Sequence, residues 1–292
     1  MTMTKTDPMN LTGLLGDYAN KVGLPAAPAD INALMARLPQ SLQDKFHDTP
    51  LGRRMRAYRT VHEPSLAMLR LANIVSQREE PVLITGETGT GKELLAKIML
   101  NQRNDGQFFT MNCAGIPDTL FESIMFGHKA GSFTGALRDS PGFLLSAGTG
   151  VAFLDEVGEL PLGQQAKLLR AIQERKVLPV GSPYVMHLSC RFVFATNRDL
   201  LAMVRTGTFR EDLYYRISAL TLSTYPLRDR PDDAIVIAKS ICEVRGFEVP
   251  IAIPEHITTS TGNVRALENW LLQRHVYGIG RDDINPRIGD NI

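Results

Sequence analysis

Two spacings of apolar residues alternate along the chain from about residue 63 to 225. SLAMLRLANIV, KELLAKIML, TLFESIMF and QQAKLLRAIQER place apolar residues three to four apart, the period of a helix with one buried face. Between them stand short, nearly continuous apolar runs, PVLIT, FFTMNC, VAFLDE and RFVFATN, of the kind buried on both sides of a sheet. Strand alternating with helix predicts an α/β fold, a parallel sheet with helices on both faces. After Pro231 the strands stop, and PDDAIVIAKSICEV and VRALENWLLQRHV read as helices of a small second domain. The tail GIGRDDINPRIGDNI is polar and unpatterned.

Residues 1 to about 60 follow a different pattern. Pro25, Pro28, Pro39 and Pro50 punctuate them, and DINALMARL reads as a short amphipathic helix capped by Asp30, too little for an independent core. GRRMRAYR carries Arg53, Arg54, Arg56 and Arg59 and is read as a solvated helix face in preference to a phosphate-binding arm. Charge adds little: 32 Lys and Arg against 31 Asp and Glu give +1, no pull of the whole chain toward nucleic acid or membrane. Cys113, Cys190 and Cys242 are far apart, without C-x-x-C or nearby His, which argues against a disulfide framework or zinc site and for a reducing cytoplasm. No run approaches the ~18 apolar residues of a membrane span, and MTMTKTDPMNLTGLLG lacks a signal-peptide core, so a cytoplasmic protein without membrane contact is expected.

The chemistry begins directly after PVLIT, where GETGTGKE, residues Gly86, Glu87, Thr88, Gly89, Thr90, Gly91, Lys92 and Glu93, opens a helix. The spacing is G-x-x-x-x-G-K. Its glycines let backbone N–H groups turn inward on phosphates, the helix N-terminus adds its dipole, and Lys92 reaches the β and γ oxygens of a nucleotide such as ATP. A chance glycine turn is the competing reading, and the strand-loop-helix context argues against it. The hydroxyl that usually follows the lysine and sits on Mg2+ is replaced by Glu93, so magnesium needs other ligands. VAFLDE delivers Asp155 and Glu156 at the end of a buried strand; Asp155 is assigned to magnesium and Glu156 to polarising a water for in-line attack.

Together these residues resemble an AAA+ ATPase, and more narrowly the central domain of sigma-54-dependent transcriptional activators. The resemblance runs from about Glu63 to Trp270 and rests on GETGTGKELLAK, NCAGIPDTLFES, FGHKAGSFTGA, FLDEVGELPL, QAKLLRAIQE, ATNRDL, FREDLYYRI and GNVRALEN. It implies a phosphate-loop NTPase sheet over residues 61–228, a helical lid over 229–278, an N-terminal helical or linker segment over 1–60 and a tail over 279–292. It also gives a role to GHKAGSFTGALR, where Phe133 has almost nothing apolar beside it. In the family the loop matching Gly131, Ser132, Phe133, Thr134, Gly135 and Ala136 grips the sigma factor and moves as ATP is hydrolysed; Ser132 replaces the usual Ala.

By the same resemblance Asn112 matches the Asn that holds the catalytic Glu inactive, and Asn197, with Thr196 beside it, the first sensor at the γ-phosphate. Arg210 and Arg216 match the arginine fingers. Six positions apart on one helix, they would be separated by roughly 120° and so do different jobs. A finger acting in trans implies a ring, usually a hexamer, of this chain or of it with a related activator. Arg265 matches the second sensor, on the lid. The family places a full helix and a Trp-Pro pair before Gly-Asn-Val-Arg, whereas only EHITTST separates Pro254 from Gly262 here, which implies a shortened lid. No receiver-like domain and no helix-turn-helix are evident, so regulation and DNA targeting are expected from elsewhere. The implied function is ATP-driven remodelling of the sigma-54 RNA polymerase holoenzyme. The alternative is an ATP-binding regulatory partner of a complete activator with weak hydrolysis.

Overall fold

The computed structural model describes residues 58–100 and 107–278. DINALMARL with Asp30, the arginines Arg53, Arg54 and Arg56, and the tail from residue 279 lie outside the described residues. Arg59 lies inside them, with φ 49° and its Nε donating to the Ser240 hydroxyl at 3.1 Å.

Five strands, β1 Val82–Thr85, β2 Phe108–Asn112, β3 Val151–Asp155, β6 Arg191–Thr196 and β7 Leu220–Ser223, form one parallel sheet in the order β2-β3-β6-β1-β7. The two-residue period of each strand divides its side chains between two cores. Val82, Ile84, Phe153, Val193 and Ala195 point to one, together with α1 Glu63–Val75 and α2 Lys92–Leu100 through Leu69, Ala72, Leu95 and Ala96. Leu83, Leu154, Phe192 and Phe194 point to the other. That face is covered by α3 Phe121–Phe126, α4 Gly142–Ser146, α5 Leu162–Glu174, α6 Leu200–Arg205 and α7 Glu211–Ile217. Phe153 is wholly buried and stacked on Phe108 at 5.5 Å, so its truncation to Ala would cost about 3–5 kcal/mol. The α/β fold expected from the alternating pattern is therefore the fold observed.

Three elements had no clear signal in the sequence. β7 is a four-residue edge strand, LTLS, whose Thr and Ser face outward and break the apolar run. The two-residue strands β4 Lys176–Val177 and β5 Met186–His187 pair antiparallel, with a connection that touches the 127–140 segment through His128 and Val180. Beyond the sheet, the single-turn 3-10 segment Leu227–Asp229 leads to α8 Pro231–Arg245, α9 Glu255–Thr258 and α10 Asn263–Tyr277. These share a third core of Leu227, Ala238, Cys242, Leu267, Trp270 and Leu271. Pro231 opens α8 and Gly246, at φ 70°, closes it, the usual asymmetry of helix ends. Among the described residues, no helix is long and apolar enough to cross a membrane.

Candidate active site

The sheet register sets the site. Thr85 stands opposite Thr196 and Leu154 opposite Phe194, so β1, β3 and β6 end side by side and deliver Gly86, Asp155 and Asn197 to one rim. Ligand sites of open α/β sheets lie at such carboxyl ends.

From Gly86 the chain loops to Lys92, the first residue of α2. Gly86 and Gly89 have φ of 150° and 75°. A Cβ on Gly86 would lie 2.0 Å from the Thr224 hydroxyl, and one on Gly89 2.2 Å from the Gly262 carbonyl oxygen, so both positions demand glycine for backbone angle and for space. The Thr90 hydroxyl donates to Glu87 O at 2.7 Å, and Gly91 backs onto the ring of Tyr58. Lys92 is only 7% exposed; its Nζ donates to Gly86 O at 2.9 Å and Glu87 O at 3.1 Å. Burial lowers the Lys92 pKa, opposed by the Glu156 and Asp155 carboxylates and reinforced by Arg265, so all three charges bear on one ammonium. A buried lysine at a helix N-terminus, behind a loop with no room for side chains at Gly86 and Gly89, fits a polyphosphate. The Glu93 carboxylate is taken up by Lys97 at 2.7 Å along the surface of α2.

Asp155 and Glu156 end β3. The Asp155 Oδ1 accepts from the Glu156 N–H at 3.0 Å, which leaves its other oxygen to the rim. Glu156 has left-handed backbone, φ 53° and ψ 47°, a conformation that costs a side-chain-bearing residue roughly 1–2 kcal/mol. Its Oε2 accepts from the Asn197 main-chain N–H at 3.2 Å, and the Asn197 Nδ2 donates to the Thr88 hydroxyl at 3.1 Å. A continuous path thus runs from the carboxylate to the phosphate loop. Asn112 sits beside Asp155 in register, with its Oδ1 accepting from the Ala114 N–H at 2.9 Å to cap a 3-10 turn. Thr196 is wholly buried and its hydroxyl accepts from the Arg198 N–H, so of this pair it is Asn197 that faces the rim. Below, burial pushes the Cys113 thiol up to about 12, helped by the negative charges of Asp155 and Glu156. Among the described residues no group of three or more His, Cys, Asp or Glu is arranged to hold a metal ion. The Asp155 oxygen left to the rim is a carboxylate ligand of the kind that suits a magnesium ion carried mainly by phosphates.

Arg210 corrects one expectation. It is the N-cap of α7, with extended backbone at φ −73° and ψ 131°, so the helical separation of 120° from Arg216 does not apply. Its guanidinium grips Asp212 with two bonds of 3.0 and 2.7 Å. Arg216 is exposed in the last turn of α7. Arg265 is exposed on α10, with its Cβ against Gly89.

The sequence also concealed a set of ties between the phosphate loop and the helices that follow it. Asn263, buried and left-handed at φ 51°, accepts at Oδ1 from the Leu227 N–H at 2.6 Å. Its Nδ2 donates to Thr88 O at 3.0 Å, Thr261 O at 3.0 Å and the Glu87 carboxylate at 3.3 Å. Arg228 binds the Glu87 carboxylate in two-pronged fashion, and that bond above all holds the Glu87 pKa down to about 2. Arg230 and Asp233 form an ion pair at 3.2 Å, each at most 1% exposed. Arg230 also donates to Tyr225 O and Thr90 O and lies over the Tyr58 ring. Asp233 accepts from the Thr60 hydroxyl and the Val61 N–H, both at 2.6 Å. Apart from Asn263, these residues lie in or pack against PLRDRPDD, of which the fold buries Leu227, Arg230 and Asp233 and leaves Arg228 exposed.

Gly131 and Ala136 close a tight loop through a Gly131 N–H to Ala136 O bond of 2.7 Å. Ala136 is buried, Thr134 and Gly135 are exposed, and Phe133, 39% exposed, lies edge-on to His128 at 5.0 Å, outside the core. Ser132 is pressed against Gly181, where a Cβ would come within 2.6 Å of its own, and its buried hydroxyl has no hydrogen-bond partner among the described residues.

The sigma-54 interaction domain matches residues 60–223. The response regulator protein FleR of Pseudomonas aeruginosa is 44% identical over 218 residues, 70% of this chain and 46% of that protein. The sigma54-dependent transcriptional activator SfnR of Pseudomonas putida is 40% identical over 234 residues, 75% of this chain and 63% of that one. The chain spans about half the length of the curated relatives it matches. NtrX from Brucella abortus, solved in complex with ATP, is similar with a TM-score of 0.68 and 25% identity over 84% of this chain and 58% of that one. With a match that runs from buried Thr60 through both rim carboxylates to the edge strand at Ser223, the chain belongs to the family of the sigma-54 interaction domain, built on the AAA+ fold.

Proposed function

We propose that the protein hydrolyses ATP with Mg2+ in a cytoplasmic ring of subunits, a hexamer by family habit, and uses the stroke to remodel sigma-54 bound to RNA polymerase. Residues 61–228 are the ATPase core and 229–278 a shortened lid. The 86–93 loop and Lys92 bind the phosphates, and Lys92 exchanges the Gly86 and Glu87 carbonyls for phosphate oxygens. Asp155 holds the magnesium shell. Magnesium, held there, would supply positive charge against the phosphates. Glu156 orients a water and takes its proton, Asn197 reports on the γ-phosphate, and Arg265 covers the nucleotide from the lid. Arg210 and Arg216 divide between the neighbouring subunit's phosphate and the interface. Phe133 and Thr134 are the gripping surface: the ring offers contact area at low entropic cost and the hydroxyl a hydrogen bond.

One observation carries this reading, the hydrogen-bonded path from Glu156 through Asn197 to Thr88, which couples the candidate base to the phosphate loop. ATP turnover measured against protein concentration, with mass determined in parallel, tests it. Turnover per subunit should rise steeply as the mass passes from monomer to ring, and full turnover by monomers would refute the shared site. A second reading, an ATP-holding partner of a complete activator, is favoured by the four-residue helix α9, Glu255–Thr258, in the shortened lid. Adding a complete activator separates the two: only a partner subunit would gain turnover solely in the mixture.

A further inference from the structure

We infer that Asn263 is a positioning residue, one that fixes the start of the lid helix against the phosphate loop and thereby aims Arg265 at bound nucleotide. The inference rests on the nucleotide-binding reading above. The amide of Asn263 joins three stretches of chain that are distant in sequence: the phosphate loop at Thr88 and Glu87, the turn into the lid at Leu227, and its own helix start at Thr261. The neighbouring backbone repeats the connection, since the Val264 N–H donates to Gly89 O at 3.1 Å and the Gly262 carbonyl fills the space beside Gly89.

The side chain is well chosen for this. Two N–H donors and one carbonyl acceptor on a short stem meet acceptors and a donor at once, and Asn tolerates left-handed backbone better than most residues. An Asp would set a carboxylate oxygen against Thr88 O, Thr261 O and the Glu87 carboxylate. A Gly would keep the backbone angle and the main-chain bond to Ser260 O and lose every side-chain bond. Arg265 follows two residues later on the same helix, so the rotation and height of its stem are set by the tie at Asn263.

The test uses the full chain, N-methylanthraniloyl-ADP with magnesium as probe, and the variants Asn263→Gly, Asn263→Asp, Arg265→Ala and Asn263→Gly/Arg265→Ala. Loss of the buried bonds should raise the probe's dissociation rate about tenfold in Asn263→Gly and at least as much in Asn263→Asp, with cooperative thermal unfolding retained. The decisive readout is non-additivity: the double variant should release probe no faster than Arg265→Ala alone, because Asn263 acts through Arg265. An unchanged rate in Asn263→Gly, fully additive losses, or unfolding of both Asn263 variants would overturn the inference while wild-type binding upholds the nucleotide site. No probe binding by the wild-type chain would overturn both.

Discussion

The main-chain N–H of Asn197 donates to the side-chain carboxylate of Glu156 at 3.2 Å, which ties the end of β6 to the one acidic residue of the rim that holds left-handed backbone. Glu156 is thus held by a donor whose own side chain already touches the phosphate loop. Glu156→Gln keeps the shape and the acceptor oxygen and removes the base. It should bind nucleotide with little change while ATP turnover falls by about a hundredfold or more. Steady-state hydrolysis and probe binding on the same preparation check this, and a variant with near-normal turnover would remove Glu156 from the chemistry.

If an arginine from one subunit completes the site of the next, two crippled chains can repair one another. Arg216 is exposed and offered outward, whereas Arg210 is held by Asp212. Arg216→Ala and Glu156→Gln should each be inactive alone and regain measurable turnover when mixed, because one supplies the intact acid and the other the intact arginine. The same mixture with Arg210→Ala tells which finger reaches the phosphate. No gain with either arginine variant would argue that the site is complete within one chain.

Phe133 rests edge-on against His128 and belongs to none of the cores, so removing its ring should cost the fold little. Phe133→Ala is expected to keep ATP turnover within about twofold, in line with a partly exposed side chain outside the cores. Capture of purified sigma-54 in the presence of a transition-state analogue of ATP should be lost. Retained capture would assign the grip to another surface.

The Arg228 bond holds the Glu87 carboxyl near 2 in the folded chain against an ordinary value of 4.5. A depressed folded pKa gives stability that is present above the unfolded value and fades as pH falls toward the folded one. Both side chains are about 40% exposed, so the effect is screened and is worth no more than about 1 kcal/mol, or roughly 2–4 °C of melting temperature. Wild type should therefore melt above Glu87→Gln at pH 7, and the gap should close as the pH drops below about 4.5. A gap that stays constant down to pH 3 would show that the ion pair is not its source.

How much of this was legible beforehand follows from where each residue's information lies. The sheet could be read because β1, β3 and β6 are buried on both faces, and only continuous apolar runs satisfy that. That Gly86, Lys92, Asp155 and Glu156 meet at one rim could be read because each stands at the end of a strand, or the start of a helix, that the apolar pattern locates. Asn263, Arg228, Arg230 and Asp233 could not, since each has a partner distant in sequence, and a charged or amide residue at a turn has the same local pattern whether it ends in water or beneath the phosphate loop. β7 was hidden for a related reason: an edge strand buries one face, so half its residues are free to be polar. The angular argument for Arg210 and Arg216 failed because α7 begins one residue later than the pattern suggested.

The dry ion pair of Arg230 and Asp233 has a mechanical consequence. Breaking such a pair by removing one partner typically costs about 3–5 kcal/mol, so swinging movements of α8 are expected to turn about it as about an axle, without prising it open. Thr60 and Val61 are fastened to that same axle through Asp233, and Tyr58 is laid beneath Arg230. Thr60 and Val61 therefore join the bearing between α8 and the phosphate loop directly, while Tyr58 also enters the core beneath the sheet, so a movement of α8 is felt at both places at once.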